Sequence, residues 1–299
     1  MTFVHTVEVY FYYARNVTLG TLGPLEMTLA LLVMAVVAGF LGSLTGLGGG
    51  VVITPALTLL FGIDLRYAIG ASLVSAIATS SGAASAYVRE GYSNVRIGMF
   101  LEVATVFGAL AGATLATWVS TSVLGVILGL VLLQSAWLSG QHHEDRVELT
   151  SSDPLAVKLH MDGEYPTAQG MLPYHVQRVK TGFALMLGAG AISGLLGIGS
   201  GSLKVIAMDR AMRIPFKVST TTSNFMIGVT AAASAGVYLN RGYIDPLLVM
   251  PVMIGVLAGS LAGARVLSGA STKVLRLVFA AVVGFMAIQM IVSGVRGKL

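Results

Sequence analysis

The sequence contains no cysteine. Disulfides, thiolate metal sites and cysteine nucleophiles are therefore excluded. Charge is equally scarce. Only 10% of the 299 residues are Asp, Glu, Lys or Arg, against about 25% in soluble domains. Histidine is confined to the first residues and to residues 142–175. No His/Asp/Glu spacing suggests a metal site, and no cofactor is implied. The first 25 residues lack a basic region ahead of an apolar core, so they do not read as a cleavable signal peptide. Their amphipathic, aromatic character predicts an interfacial segment. The net charge of +5 is modest, and its basic residues are dispersed among loops. They read as topology signals and not as a nucleic-acid surface.

What is present is apolar. Hydrophobic residues make up 55% of the chain, and the mean hydropathy is +0.84. Uncharged runs cover residues 27–63, 67–88, 103–143, 181–203 and 218–240. Each is long enough for at least one span of about 20 residues. Barrel strands would give short alternating segments instead. The chain reads as an all-α integral membrane protein.

Two stretches break the apolar pattern. GLGGGVVITP starts at Gly46 and GIGSGSLKVI at Gly197. An interior Gly costs a helix roughly 1 kcal/mol relative to Ala, and an interior Pro about 3. The breaks are related by a shift of 151 residues, and so is much else. Gly46, Gly48 and Gly50 fall on Gly197, Gly199 and Gly201; Arg66 falls on Lys217; Ser72 falls on Ser223. Tyr87, Gly91 and Tyr92 fall on Tyr238, Gly242 and Tyr243, and Gly108 and Gly112 fall on Gly259 and Gly263. One shared register for Gly, Ser and Tyr establishes an internal duplication. Two such halves are the usual architecture of a secondary transporter.

Each half contains five apolar pieces. In the first they cover residues 26–45, 51–61, 67–87, 96–119 and 122–138. In the second they begin near residues 181, 202, 218, 246 and 272. The piece after each break has about 12 residues and is too short for a core of roughly 30 Å at 1.5 Å per residue. It predicts a Gly-broken or re-entrant half-helix, accompanied by about three spanning helices. The crossings per half are then odd, and the repeats have inverted topology. Loop charges favour this arrangement. It puts Arg89, Arg96, Arg146, Lys158, Arg178, Lys180, Arg210, Arg213, Lys217, Arg265, Lys273 and Arg276 on one side. Arg15, Arg66, Arg241, Arg296 and Lys298 lie on the other. The positive-inside rule makes the first side cytoplasmic. The organisation expected is an N-terminal interfacial segment (1–25), a first membrane repeat (26–139), a cytoplasmic linker (140–180) and a second repeat (181–295). The linker reads as a solvated connector, with a hairpin turn at Asp162-Gly163.

Unwound backbone at membrane depth must line a cavity or be packed in protein. A half-helix that starts there presents unpaired N–H groups and a positive dipole end to an anion. The candidate anion site thus comprises Gly48, Gly49 and Gly50 in the first break and Gly199, Ser200 and Gly201 in the second. Lys204 joins it as an ionisable residue in a run otherwise free of charge. The hydroxyls of Ser72, Thr222 and Ser223 and the amide of Asn224 complete an oxyanion environment. Glu102, about six residues inside its helix, is the candidate proton relay or the partner of a base such as Arg96. The spacing of Gly108–Gly112 and Gly259–Gly263 is that of close helix packing. Paired catalytic groups are not evident, which argues against an intramembrane enzyme.

These motifs resemble the sulfite exporter TauE/SafE family of membrane permeases. The resemblance runs from about residue 38 to 289. It rests on GLGGGVVITPAL, on LRYAIGASLVSA (65–76), on YVREGYSNVR (87–96) and on GALAGA (108–113). GIGSG and FKVSTTTSN form a more divergent second copy, and Ala71 and Ser200 depart from the family pattern. The resemblance implies a multi-pass protein of the cell inner membrane that transports small sulfur-containing anions, with export of sulfite or sulfoacetate the leading expectation. Proton-coupled uptake of a sulfonate or other organic anion is the alternative. The partners expected are a small anionic substrate and the lipid bilayer, with no nucleic acid, in a monomer or homodimer.

Overall fold

The computed structural model describes residues 23–45, 49–89, 92–140, 151–167, 170–267 and 272–299. Residues 1–22 of the interfacial segment expected at 1–25 lie outside them, as do Gly46 and Gly48 of the first break. The chain is a bundle of helices. In the first half these are α1 (Pro24–Thr45), α2 (Gly50–Phe61), α3 (Leu65–Arg89), α4 (Val95–Ala116) and α5 (Thr121–Gly140). A short helix, α6 (Pro154–Lys158), and two strands, β1 (Gly163–Thr167) and β2 (Gly170–Tyr174), follow. The second half holds α7 (Val179–Leu196), α8 (Gly201–Ile206) with a π turn at Ala207–Ala211, α9 (Phe216–Asn240), α10 (Pro246–Leu267) and α11 (Thr272–Val295).

The register of 151 residues is written into these bounds. It carries α3 onto α9 and α4 onto α10 without remainder, and the start of α2 onto the start of α8. Among the described residues, six helices have the length and apolarity of membrane spans: α1, α4 and α5 from one half, and α7, α10 and α11 from the other. Their outward faces carry exposed Leu29, Val33, Val103, Phe107, Phe285 and Ile288, the surface that lipid requires. The more hydroxyl-rich α3 and α9 have 25 residues each. Each touches elements of both halves.

Contacts fix the relative directions of the repeat mates. Lys217, at the start of α9, lies against Tyr92, just beyond α3. Arg66, at the start of α3, lies against Tyr243, just beyond α9. Helices α3 and α9 therefore run antiparallel. So do α5 and α11, since the Thr121 hydroxyl donates to the carbonyl of Leu299 at 2.6 Å.

The glycines spaced for close packing do pack closely. A Cβ on Gly108 would overlap the Leu187 carbonyl, and one on Gly112 the Ala191 carbonyl. The second copy repeats this, with Gly259 against the Val36 carbonyl. Backbones of α4 and α7, and of α1 and α10, approach where no side chain intervenes.

The linker departs from expectation. It is docked, not merely solvated: Ala156, Met161, Tyr165, Tyr174 and Val176 are buried in one core with Ile97, Leu101, Met208 and Met212. Its hairpin joins β1 to β2 with Thr167 opposite Gly170. Asp162-Gly163 is therefore not the turn. The Asp162 carboxylate instead accepts from the Val176 amide at 2.9 Å and the Ser152 hydroxyl at 2.6 Å. Upstream, Pro154 sits in the first turn of α6 and Asp153 caps it by accepting from Leu155 N–H at 2.8 Å, which makes residues 154–158 helical. The Asn94 amide donates to Met161 O at 2.9 Å and to the Tyr174 hydroxyl at 2.7 Å. Gln177 N–H donates to Met212 O at 3.0 Å. The linker is thus tied to both halves. Burial of Tyr174 pushes its phenol up to about 12, so it remains a neutral hydrogen-bonding group.

Candidate functional site

The two breaks have different local causes. In the first, Gly49 keeps right-handed backbone and precedes α2. In the second, α7 ends at Gly197 in the left-handed region (φ 68°), whose N–H returns to Ser193 O at 2.8 Å. Gly199 (φ 69°) and Ser200 (φ 44°) continue that conformation before α8 begins. Glycine adopts it freely. A serine there is strained by roughly 1–2 kcal/mol.

The structure brings the two breaks together on α3. The Ser72 hydroxyl lies 3.0 Å from Gly50 O and 2.8 Å from Gly197 O. One side chain thus spans the start of the first half-helix and the end of α7. Its repeat mate behaves likewise, with the Ser223 hydroxyl donating to Gly201 O at 3.2 Å. Both serines hold backbone carbonyls at the breaks and are fully buried. Ser200 is buried too, and its hydroxyl has no hydrogen-bond partner. Ser202 shares a hydrogen bond of 2.8 Å with Ser135 of α5.

Lys204 is 0% exposed and Glu102 7%. They are joined through one hydroxyl. Lys204 Nζ donates to Thr230 Oγ1 at 2.6 Å, and Thr230 Oγ1 donates to Glu102 Oε1 at 2.6 Å. Met226 O, at 3.0 Å, is a second acceptor for the same hydroxyl hydrogen. The other carboxylate oxygen, Glu102 Oε2, is buried without a partner. The expected pairing of Glu102 with Arg96 is not seen: Arg96 reaches outward to His160 O at 3.2 Å. A carboxylate two turns inside α4 meets the buried ammonium across the bundle, while an arginine at the helix start is free to reach the linker.

Of the other predicted groups, Thr222 accepts the Asn94 N–H at 3.1 Å. Asn224 is buried. Gly49, Gly50, Gly199 and Gly201 lie in the breaks, and Gly48 is outside the described residues. Sequence reasoning missed Thr230 and Ser135. The signal for Thr230 was its place seven residues, or two turns, after Ser223 on one face of α9.

Among the described residues, six span-length apolar helices, with glycine breaks related by the 151-residue register and a buried Lys204 close to the second, define a multi-pass membrane protein. The comparisons with known proteins agree. The model of the family described as sulfite exporter TauE/SafE matches residues 31–290, so the chain belongs to that family and is a membrane transporter. It is 26% identical over 282 residues to the probable membrane transporter protein YunE of Bacillus subtilis, covering 89% of this chain and 97% of that one. The probable membrane transporter protein MJ0441 of Methanocaldococcus jannaschii is 26% identical over 276 residues, covering 87% and 94%. No solved structure matches the chain.

Proposed function

We propose that the chain exports small sulfur-containing anions such as sulfite, sulfoacetate or other organosulfonates. They bind between the halves at the glycine breaks and cross by alternating access. The observation that carries this reading is the convergence of both breaks on Ser72, with the buried Lys204 three residues into the second half-helix. Tetrahedral and pyramidal oxyanions accept several donors at once, and backbone N–H groups, a free Ser200 hydroxyl and an ammonium supply them.

Inverted insertion of the halves is part of the proposal. The antiparallel course of α3 and α9 supports it, and so does the excess of basic residues on the linker side. The two halves then rock about a shared centre, the usual mode of inverted-repeat transporters. The described residues of the breaks, 49–50 and 197–201, are buried, which fits an occluded state. Energetics favour export: an inside-negative potential is worth about 2.3 kcal/mol per charge per 100 mV, or roughly 50-fold for each net negative charge that crosses.

Thermal stability of the purified protein with sulfite, sulfate, thiosulfate, sulfoacetate, taurine and acetate tests the reading. A bound anion raises the melting temperature by mass action. Stabilisation by sulfur oxyanions, absent with acetate and lost in Lys204→Ala, is the expected result. Indifference to all of them sinks it.

A further inference from the structure

The reading above leaves a buried carboxylate unexplained. Glu102 comes from the first half, and Lys204 and Thr230 come from the second. The network therefore bridges the two halves. It has no counterpart on the opposite side, because the repeat mates of Lys204 and Glu102 are Ile53 and Met253. The mate of Thr230 is Thr79, which merely donates back to Ser75 O in its own helix at 3.1 Å. With the ammonium and the carboxylate both charged, the buried set is neutral. An anion that pairs with Lys204 makes it negative, and Glu102 Oε2, buried and without a donor, is the oxygen left to take a proton.

We infer that Glu102 is a proton-binding site linked to anion binding at Lys204: each anion that pairs with Lys204 brings one proton onto Glu102 Oε2. The proton comes from solvent, Lys204 stays an ammonium, and no covalent bond of the anion changes. The Thr230 hydroxyl can then turn its hydrogen to Met226 O, which is already within 3.0 Å. This inference rests on the anion reading of Lys204 and adds the coupled ion. It also makes the cargo's charge decide the energetics. A monoanion crosses with its proton as a neutral pair, whereas a dianion crosses with one net negative charge and is still driven outward by the potential.

Among the described residues, no other titratable side chain faces this pair. On α4, Arg96 reaches His160 O. On α9, Lys217 lies over the Tyr92 ring and Tyr238 donates to Leu195 O at 3.2 Å. On α7, Lys180 is exposed. Asp209 and Arg210 lie in the π turn after α8, with Arg210 over the Trp137 ring. Helix α5 has no charged residue.

The test uses methanesulfonate, whose single charge does not change across the working pH range. It is titrated into the purified full chain in weak buffer with a pH indicator. About one proton should be taken up per anion bound, and over the pH range in which that uptake is seen affinity should fall up to tenfold per unit as pH rises. Glu102→Gln should bind methanesulfonate with no proton uptake and with affinity independent of pH. Binding by the unaltered protein without proton uptake overturns the coupling and leaves the anion reading standing. Uptake that persists in Glu102→Gln also overturns it, because the proton then sits elsewhere. Absence of binding by methanesulfonate and sulfite alike overturns both. If that variant fails to fold, absence of proton uptake by the unaltered chain still overturns the coupling.

Discussion

Lys217 Nζ lies 4.2 Å from the centroid of the Tyr92 ring. The same pair exists 151 residues away in register: Arg66 lies 5.8 Å from the ring of Tyr243. In each case a cation at the start of one central helix rests on an aromatic ring just beyond the end of the other. The pair pins α3 and α9 head to tail at both ends. Exposed cation–π contacts contribute about 0.5–1 kcal/mol. A double-mutant cycle with Lys217→Met and Tyr92→Leu should therefore return a coupling of that size in thermal unfolding. A coupling of zero would mean that the contact is incidental.

Ser200 is strained at φ 44° and buries an unpartnered hydroxyl. Ser200→Gly removes both costs, and stability should rise by about 1 kcal/mol. If the hydroxyl contacts the anion, affinity should fall in the same variant. Melting temperature and anion titration read the two effects separately. A lower melting temperature would show that the serine supports the fold.

Close approach of α4 to α7 leaves no room at Gly112, where a Cβ would overlap Ala191 backbone. Gly112→Val should cost at least about 2 kcal/mol or prevent assembly. Gly188, on the exposed side of α7, has nothing within 4 Å of an added Cβ. Gly188→Ala should be neutral or stabilising by up to about 1 kcal/mol. Comparing yields of folded protein from the two variants separates packing from propensity.

The linker should respond to acid through Asp162. Burial pushes this carboxyl up, but hydrogen bonds from Ser152, Val176 N–H and His175 outweigh it and hold the group below its ordinary value. A carboxyl lowered on folding contributes stability above its unfolded value, near pH 4. That contribution is lost as pH falls through the folded value. Protection of the Val176 amide from hydrogen exchange should therefore weaken below about pH 4. In Asp162→Asn it should be weak throughout and lose this step. A step of the same size in the variant would assign the effect to another group.

Much of this fold was legible in residue identities. The register of Gly, Ser and Tyr fixed the duplication before any helix was drawn, and α3 and α9 obey it to the residue. The half-helices were legible because Gly acts locally, whereas Pro55 is carried inside α2. The contacts that define the centre were not. Glu102 and Thr230 are 128 residues apart, and nothing in helical periodicity brings α4 to α9. The linker misled for a similar reason. The alternation across residues 157–165 suggested a turn at Asp162-Gly163, but the capping of α6 by Asp153 and the bond from Val176 to Asp162 decided the local structure. Its burial depends on Asn94, a partner from another part of the chain.

The most direct test of the central claim is transport itself. Proteoliposomes loaded with sulfite or sulfoacetate, under an imposed inside-negative potential, should release the anion faster than protein-free vesicles. Acetate should not follow, and Lys204→Ala should abolish the difference. Release at the protein-free rate, or release undiminished in Lys204→Ala, would contradict the claim that the two glycine breaks and Lys204 form the path of a sulfur-containing anion.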